Sequence, residues 1–321
     1  MLPTLYEVEI NGQPIGVHPY GIFILLAFCS AFILAHLRAL RVGIHPDRLL
    51  PVYVSAAVGG MIGGKLLYAI AVQPAETLAD PMSLLGFSGF AVYGGVIGGT
   101  LTVAATALFL GIPPLKLADI AAPAVIVGMG VGRIGCFFAG CCHGAVANIG
   151  EAPRGLIPEG ILHGQLWLSD VFPFLTQEFN DGVGRLHDLP LYPTQIYDAT
   201  LLLGLTALLL GLYPYRKFDG QIAATALILQ PPIRILVEAF RADERGYVMQ
   251  WEVSESMARR FPGMVQAGAD LSGGTMGITT SQTLGLAAMG LGVVLFVVLA
   301  RFFPGVAPEV PIVQDELDDI D

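Results

Sequence analysis

Two groups of residues in this chain have the types and spacing to do chemistry. The first is the stretch Gly132-Arg133-Ile134-Gly135-Cys136-Phe137-Phe138-Ala139-Gly140-Cys141-Cys142-His143-Gly144, which holds three of the four cysteines. It follows the apolar run 120–131, which Asp119 precedes. An arginine at the end of such a run is costly at membrane depth unless a counter-charge, a water-filled cavity or an anionic ligand meets it. Arg133 is therefore the leading functional candidate. The second group is Pro231-Pro232-Ile233-Arg234-Ile235-Leu236-Val237-Glu238, where Arg234 and Glu238 stand four apart and so share a helix face. They form either a self-neutralising ion pair or a pair lining a cavity, and the prolines before them free carbonyls of the kind tolerated where a helix lines one.

These groups need a membrane to sit in. Hydrophobic residues make up 54% of the chain and charged residues 13%, against roughly 25% charged in a soluble globule; mean hydropathy is +0.68. A helix crosses the hydrocarbon core with about 20 apolar residues. Runs of that length occur at 20–37, 49–72, 90–110, 117–138, 192–213, 220–240 and 275–303, so the expected fold class is an all-α polytopic membrane protein of about seven transmembrane helices with small extracytoplasmic segments. The net charge of −10 comes largely from soluble segments and the run Asp315-Glu316-Leu317-Asp318-Asp319-Ile320-Asp321. No basic stripe supports nucleic-acid binding. Residues 1–17 are polar and lack the basic start and small-residue cleavage site of a signal peptide, so the first span is expected to remain as an anchor.

Lysine and arginine set the orientation, because short cytoplasmic loops retain them. Arg38, Arg41 and Arg48 follow the first span, Lys116 the third, Arg216 and Lys217 the fifth, and Arg301 closes the last. That side is expected to be cytoplasmic. The N-terminus, the glycine-cysteine stretch and the inserts 145–191 and 241–274 then face outward. The expected domains are an extracytoplasmic segment 1–19, a seven-helix domain 20–303 with those two inserts, and an acidic, disordered cytoplasmic tail 304–321.

Along the chain, residues 6–17 read as a hairpin around Asn11-Gly12, a dipeptide that favours tight turns. Tyr20, in His18-Pro19-Tyr20-Gly21, fits a membrane-belt tyrosine. Gly59, Gly60, Gly63 and Gly64 in the second span and Gly94, Gly95, Gly98 and Gly99 in the third read as close-packing positions. Lys65 either snorkels outward or helps hold an anion in a polar cavity. Tyr93 is either an interfacial aromatic or a hydrogen-bond donor, since its hydroxyl, with an ordinary pKa of about 10, is a poor base at neutral pH. The insert 145–191 is a loop of a length that usually carries function. In Tyr192-Pro193-Thr194-Gln195-Ile196-Tyr197-Asp198-Ala199, the proline and the acid suit a helix N-terminus, with capping the simplest role for Asp198.

Taken in order, these motifs resemble the prolipoprotein diacylglyceryl transferases of the bacterial inner membrane. The matching pieces are His18-Pro19-Tyr20-Gly21, the glycine-rich 59–68, Tyr93-Gly94-Gly95, Asp119-Ile120-Ala121-Ala122-Pro123, Gly132-Arg133-Ile134-Gly135, Tyr192 to Ala199, and Arg234-Ile235-Leu236-Val237-Glu238-Ala239-Phe240-Arg241. Thr280-Ser281-Gln282 resembles the start of the family's last helix. The resemblance implies an enzyme that moves the diacylglyceryl group of phosphatidylglycerol to the lipobox cysteine thiol of a prolipoprotein, releasing glycerol 1-phosphate. Arginine's planar fork suits phosphate oxygens. The resemblance makes Arg133, Arg234, Glu238 and Tyr93 catalytic candidates, and it makes Arg133, Tyr20, Lys65, Cys136, Cys141, His143, Gly144 and Tyr197 substrate-binding candidates. The partners implied are phosphatidylglycerol, the lipobox segment and the bilayer, with no cofactor and no metal.

The chain also departs from the family pattern, which usually reads Gly-Arg-x-Gly-Asn-Phe-x-Asn-x-Glu. Cys136 replaces the first asparagine, Ala139 the second and Cys141 the glutamate. Tyr93 and Tyr192 stand where histidines are common, which leaves a thiol-deprotonating base to His143 or Glu238. Cys136, Cys141, Cys142 and His143 admit four readings. They are small pocket-lining residues or a disulfide from Cys136 to Cys141 or Cys142; a zinc site, for which the usual second ligand pair is not visible; a nucleophile activated by Arg133 or His143; or a redox relay. Cys29 reads as a small buried hydrophobe. Beside lipoprotein diacylglyceryl transfer stand two alternatives: a divergent phospholipid-dependent transferase with another acceptor or cysteine chemistry, and a non-catalytic lipid-binding relative.

Overall fold

The computed structural model describes residues 6–10, 13–71, 89–142, 144, 193–238, 247–253 and 274–306. His143, Tyr192, the insert 145–191, most of 241–274 and the tail from 307 lie outside the described residues, so the expectations attached to them are not addressed by the fold.

Seven α-helices are present among the described residues: α1 Pro19–Arg41, α2 Pro46–Ala71, α3 Val92–Phe109, α4 Pro114–Ala139, α5 Thr194–Leu212, α6 Gln221–Glu238 and α7 Thr280–Phe302. They correspond one for one to the seven apolar runs. Five of them (α1, α2, α4, α5 and α7) are long and apolar enough to cross a membrane, and α3 is a shorter apolar helix. The 23 residues of α1 make a rod of about 34 Å, enough for a hydrocarbon core of about 30 Å. Large apolar side chains such as Phe28, Leu25, Val297 and Phe109, the last 90% exposed, have lipid as their natural neighbour. The protein is an all-α polytopic membrane protein carrying two small antiparallel hairpins. In the first, β1 Tyr6–Ile10 pairs with β2 Gln13–Val17 in the register Ile10↔Gln13, and Asn11-Gly12 lies outside the described residues. The second joins β3 Tyr247–Val253 to β4 Gly274–Thr279. This second hairpin corrects the expected start of the last span at 275, because β4 occupies the polar and glycine-rich residues and α7 begins only at Thr280.

The chain divides into two compact units, with the boundary falling inside α1 and α4. One unit comprises 35–121 and 305–321. Within it α2 packs on α3 through glycines: a Cβ on Gly98 would sit 2.8 Å from the Gly63 Cα and would also strike the Gly59 carbonyl. The Thr102 hydroxyl crosses that seam to the Ser55 carbonyl at 2.8 Å. The glycines therefore serve packing, as read from sequence. Asp119 and Lys116 are buried in this unit.

The other unit comprises 1–34 and 122–304. Here α6 and α7 lie close enough that a Cβ on Gly292 would sit 2.9 Å from the Leu227 Cβ and 3.1 Å from the Ala224 carbonyl. Similarly, Gly128 meets the Ala27 carbonyl, and a Cβ on Gly135 would stand 2.7 Å from the Phe23 Cβ. These contacts bring the N-terminal half of α1 onto the C-terminal half of α4. Phe23 stacks on Phe138 with ring centroids 5.0 Å apart. α7 starts at a capping box in which Thr279 accepts from the Gln282 amide (3.2 Å) while Gln282 accepts from the Thr279 amide (3.1 Å).

Candidate functional site

The second unit brings the ionic residues of three helices together. Arg133, near the end of α4, donates from Nε to Asp198 Oδ2 of α5 at 2.8 Å. Arg234 of α6 approaches the same oxygen with Nη1 at 3.7 Å and places Nε 3.4 Å from Glu238 Oε2, one turn further along its own helix. Asp198 and Glu238 are 3% and 0% exposed. A carboxylate so buried is tolerated only when paired and hydrogen-bonded. Glu238 meets that condition through the α7 cap. Thr279 Oγ1 donates to Oε1 at 2.7 Å, and the Ser281 hydroxyl stands 2.7 Å from Oε1 and 2.6 Å from Oε2. The result is a continuous chain of charges, Arg133–Asp198–Arg234–Glu238, braced at its far end by the first residues of α7. Two guanidiniums held side by side by carboxylates are a ready receptor for phosphate oxygens, which accept in the same planar, forked geometry.

The sequence reading named Arg133, Arg234 and Glu238 and missed the residue that joins them. Capping was the simplest role for Asp198, but the N-cap of α5 is Pro193 with no side-chain cap bond, and Asp198 sits in the second turn facing Arg133. The signal was available: α5 carries no basic residue, so a carboxylate inside it must find its partner on another helix. Thr279 and Ser281 were also missed as ligands of Glu238, although Thr279 and Gln282 spell a capping box.

The cysteine stretch is built by how α4 ends. Gly140 has φ 75°, its amide bonds the Phe137 carbonyl at 3.3 Å, and the Cys141 amide bonds the Cys136 carbonyl at 3.2 Å. This is the Schellman fold-back, which calls for a left-handed residue and so favours glycine. The same device closes α1 at Gly43 and α3 at Gly111. At those two sites the residue after the glycine is a buried isoleucine, Ile44 or Ile112. On α4 it is a cysteine. Cys142 follows with φ 63°, a conformation rare outside glycine. Two side chains of α5 fix it there: Gln195 Nε2 donates to the Cys141 carbonyl and the Thr194 hydroxyl to the Cys142 carbonyl, each at 2.8 Å. All four cysteines are free thiols in this structure. The Cys141 thiol is pushed well above the ordinary thiol value, first by hydrogen bonding with Cys136, next with Cys142, and then by burial. That direction opposes its use as a nucleophile at neutral pH.

The remaining candidates are placed as follows. Tyr20 lies in the first turn of α1, 43% exposed, and a Cβ on Gly135 would stand 3.7 Å from its ring. Tyr197 is half-buried beside Asp198, and Gly144 is buried just beyond the cysteines. Lys65, half-buried on α2, and Tyr93, half-exposed at the start of α3, belong to the other unit. His143 is outside the described residues.

A family model described as prolipoprotein diacylglyceryl transferase matches residues 7–298, a span that includes Arg133, Asp198, Arg234 and Glu238. A phosphatidylglycerol–prolipoprotein diacylglyceryl transferase of Clostridium tetani is 30% identical over 257 residues, covering 79% of this chain and 91% of the relative. The second such transferase of Clostridium perfringens is 30% identical over 246 residues, 75% of this chain and 84% of the relative. One from Xylella fastidiosa is 29% identical over 258 residues, 76% and 84% respectively.

Proposed function

The chain belongs to the prolipoprotein diacylglyceryl transferase family, and on that premise we propose how its own residues carry the family's reaction: transfer of the sn-1,2-diacylglyceryl group of phosphatidylglycerol to the lipobox cysteine thiol of a prolipoprotein, with release of glycerol 1-phosphate. The observation that supports the assignment of residues is the pairing of Arg133 and Arg234 through Asp198. In the reaction the acceptor sulfur forms a bond to the terminal glyceryl carbon while that carbon's bond to phosphate oxygen breaks. The phosphodiester carries one negative charge and the departing monoester, whose second pKa is about 6, gains another. The thiol proton passes to solvent, because a monoester with that second pKa stays mostly a dianion at neutral pH. Arg133 and Arg234 bind the phosphate and meet the charge that develops on it, an interaction that strengthens toward the transition state.

Asp198 and Glu238 act in this reading as positioning residues. Asp198 sets the angle of both guanidiniums, and Glu238, its oxygens occupied by Thr279, Ser281 and Arg234, fixes Arg234 rather than serving as a base. Tyr20 and Tyr197 flank the lipid head, and no step is assigned to Tyr93 or Lys65. The distribution of lysine and arginine supports a multi-pass protein of the bacterial inner membrane, with the N-terminus outside and the C-terminus in the cytoplasm.

The test is a mass-spectrometric assay of purified protein with phosphatidylglycerol and a lipobox peptide. The expected result is a diacylglyceryl peptide and glycerol 1-phosphate in equal amounts, both lost in Arg133→Ala. Failure of the folded wild-type protein to consume phosphatidylglycerol, together with failure to restore lipoprotein processing in cells depleted of their own transferase, overturns the reading.

A further inference from the structure

The reaction proposed above makes no use of the three thiols that the end of α4 gathers. Their Sγ atoms all lie within 4.8 Å of one another. A tetrahedral d10 ion holding sulfurs at about 2.3 Å spaces them by about 3.8 Å, so the three need to close by no more than about an ångström to ligate one ion. We propose that Cys136, Cys141 and Cys142 form a three-thiolate site for a soft d10 cation, Zn(II) or Cu(I), with a fourth position left open to water or an exogenous thiol.

Three features of the chain carry this. Spacing alone asked for a second ligand pair elsewhere in the sequence, whereas the Schellman fold-back turns one helix end into a claw, bringing Cys141 back over Cys136. The claw is held from outside: Thr194 and Gln195, both at most 2% exposed, pin the carbonyls of Cys142 and Cys141. Cys142 is thereby kept in a left-handed conformation that is costly for a side-chain-bearing residue, a kind of strain that gathers at ligand clamps. Finally, Cys141 is exposed and its two neighbours are half-buried, so an ion can reach the sulfurs. Soft thiolates select Cu(I) and Zn(II) over the hard cations. Binding replaces three S–H protons by three metal–sulfur bonds and releases the protons to solvent, with no change of oxidation state. The site stands independently of the transferase reading.

The experiment uses the full chain in detergent, stripped with chelator and kept reduced without oxygen. Equilibrium dialysis against Zn(II) in one arm and Cu(I) in the other, with elemental analysis, is expected to give one ion per chain in at least one arm. Cys136→Ser, Cys141→Ser and Cys142→Ser, each alone, should weaken binding at least about tenfold, and Cys29→Ser should leave it unchanged. Mass mapping of alkylated cysteines on the wild-type protein provides a readout that needs no variant: metal should protect the three clustered thiols and not Cys29. Sub-stoichiometric uptake of both ions, or binding undiminished in Cys136→Ser, overturns the proposal. So does a disulfide among the three in the isolated protein that, once reduced, yields thiols taking up neither ion.

Discussion

Asp198→Asn is the change that tests the site most directly. The substitution keeps shape and leaves an amide oxygen for Arg133 Nε, but it removes the charge that both arginines share at 2.8 and 3.7 Å. Removing one partner of a buried ion pair costs about 3–5 kcal/mol because the other charge is left uncompensated. Arg234 keeps Glu238 at 3.4 Å, and Asn keeps one acceptor, so the lower end applies, about 3 kcal/mol. If that loss falls on the positioning of Arg133 in the transition state, transfer slows by about 150-fold, since each 1.36 kcal/mol is tenfold. Diacylglyceryl-peptide formation gives the rate and thermal unfolding in detergent gives the stability. A companion variant, Arg133→Met with Asp198→Leu, separates the two effects, because an apolar pair of similar volume often replaces a buried ion pair without loss of stability. It should regain the wild-type unfolding midpoint and remain inactive. Activity of Asp198→Asn within twofold of wild type, or recovery of both stability and activity in the companion variant, would refute the assignment of Asp198 as the residue that aims Arg133.

Arg133→Lys should lower transfer by at least about a hundredfold despite keeping the charge, because an ammonium cannot reproduce the two-pronged geometry; the same peptide assay reads it. Ser281→Ala removes a hydroxyl 2.7 and 2.6 Å from the two oxygens of Glu238. A loss of about 2 kcal/mol follows for hydrogen bonding to a charged acceptor, visible as an unfolding midpoint lower by about 4–8 °C. Gly98→Leu forces a side chain into a seam where even a Cβ collides with Gly63, so α2 and α3 should separate or the protein unfold at markedly lower temperature, well beyond the 1–3 kcal/mol typical of overpacking. Because the Cys141 thiol is raised above the ordinary value of 9.0, its thiolate fraction at neutral pH lies below that of a free thiol. Its alkylation by iodoacetamide in metal-free protein should still be rising above pH 9. Reaction at pH 7 as fast as free cysteine would contradict that direction.

The apolar runs made the seven helices legible because a bilayer fixes both length and composition. Gly98 and Gly63 were legible as close-approach positions for a similar reason: small residues at regular intervals in an apolar helix have few other uses. The ionic candidates divided differently. Arg133, Arg234 and Glu238 stood out because each is costly where it lies, but cost names a residue and not its partner. Arg234 and Glu238 share a helix, so their contact followed from spacing. The bond from Arg133 to Asp198 crosses 65 positions of sequence, by subtraction of the two residue numbers, and no local rule reaches that far. The hydrogen bonds from Thr194 and Gln195 to the cysteine carbonyls and from Ser281 to Glu238 were hidden for the same reason. The thiol cluster was hidden by a backbone event: only the left-handed turn at Gly140 brings Cys141 back over Cys136.

The arrangement also explains why the positive charge comes already neutralised. Arg133 and Arg234 carry two positive charges, Asp198 and Glu238 two negative ones, so the resting cluster is neutral and can lie between apolar helices without the penalty of a lone guanidinium. In the proposed reaction, a phosphodiester entering this cluster adds one negative charge, and its conversion leaves two on the departing monoester. The attraction from the guanidiniums therefore grows as the carbon–oxygen bond breaks, while the carboxylates, held at fixed distances, keep the arginines from collapsing onto the substrate in its ground state. Catalysis depends on such a difference between the two states and not on tight binding as such. On the proposed reaction, a site of two arginines without their carboxylates is expected to bind the lipid more strongly and turn it over more slowly.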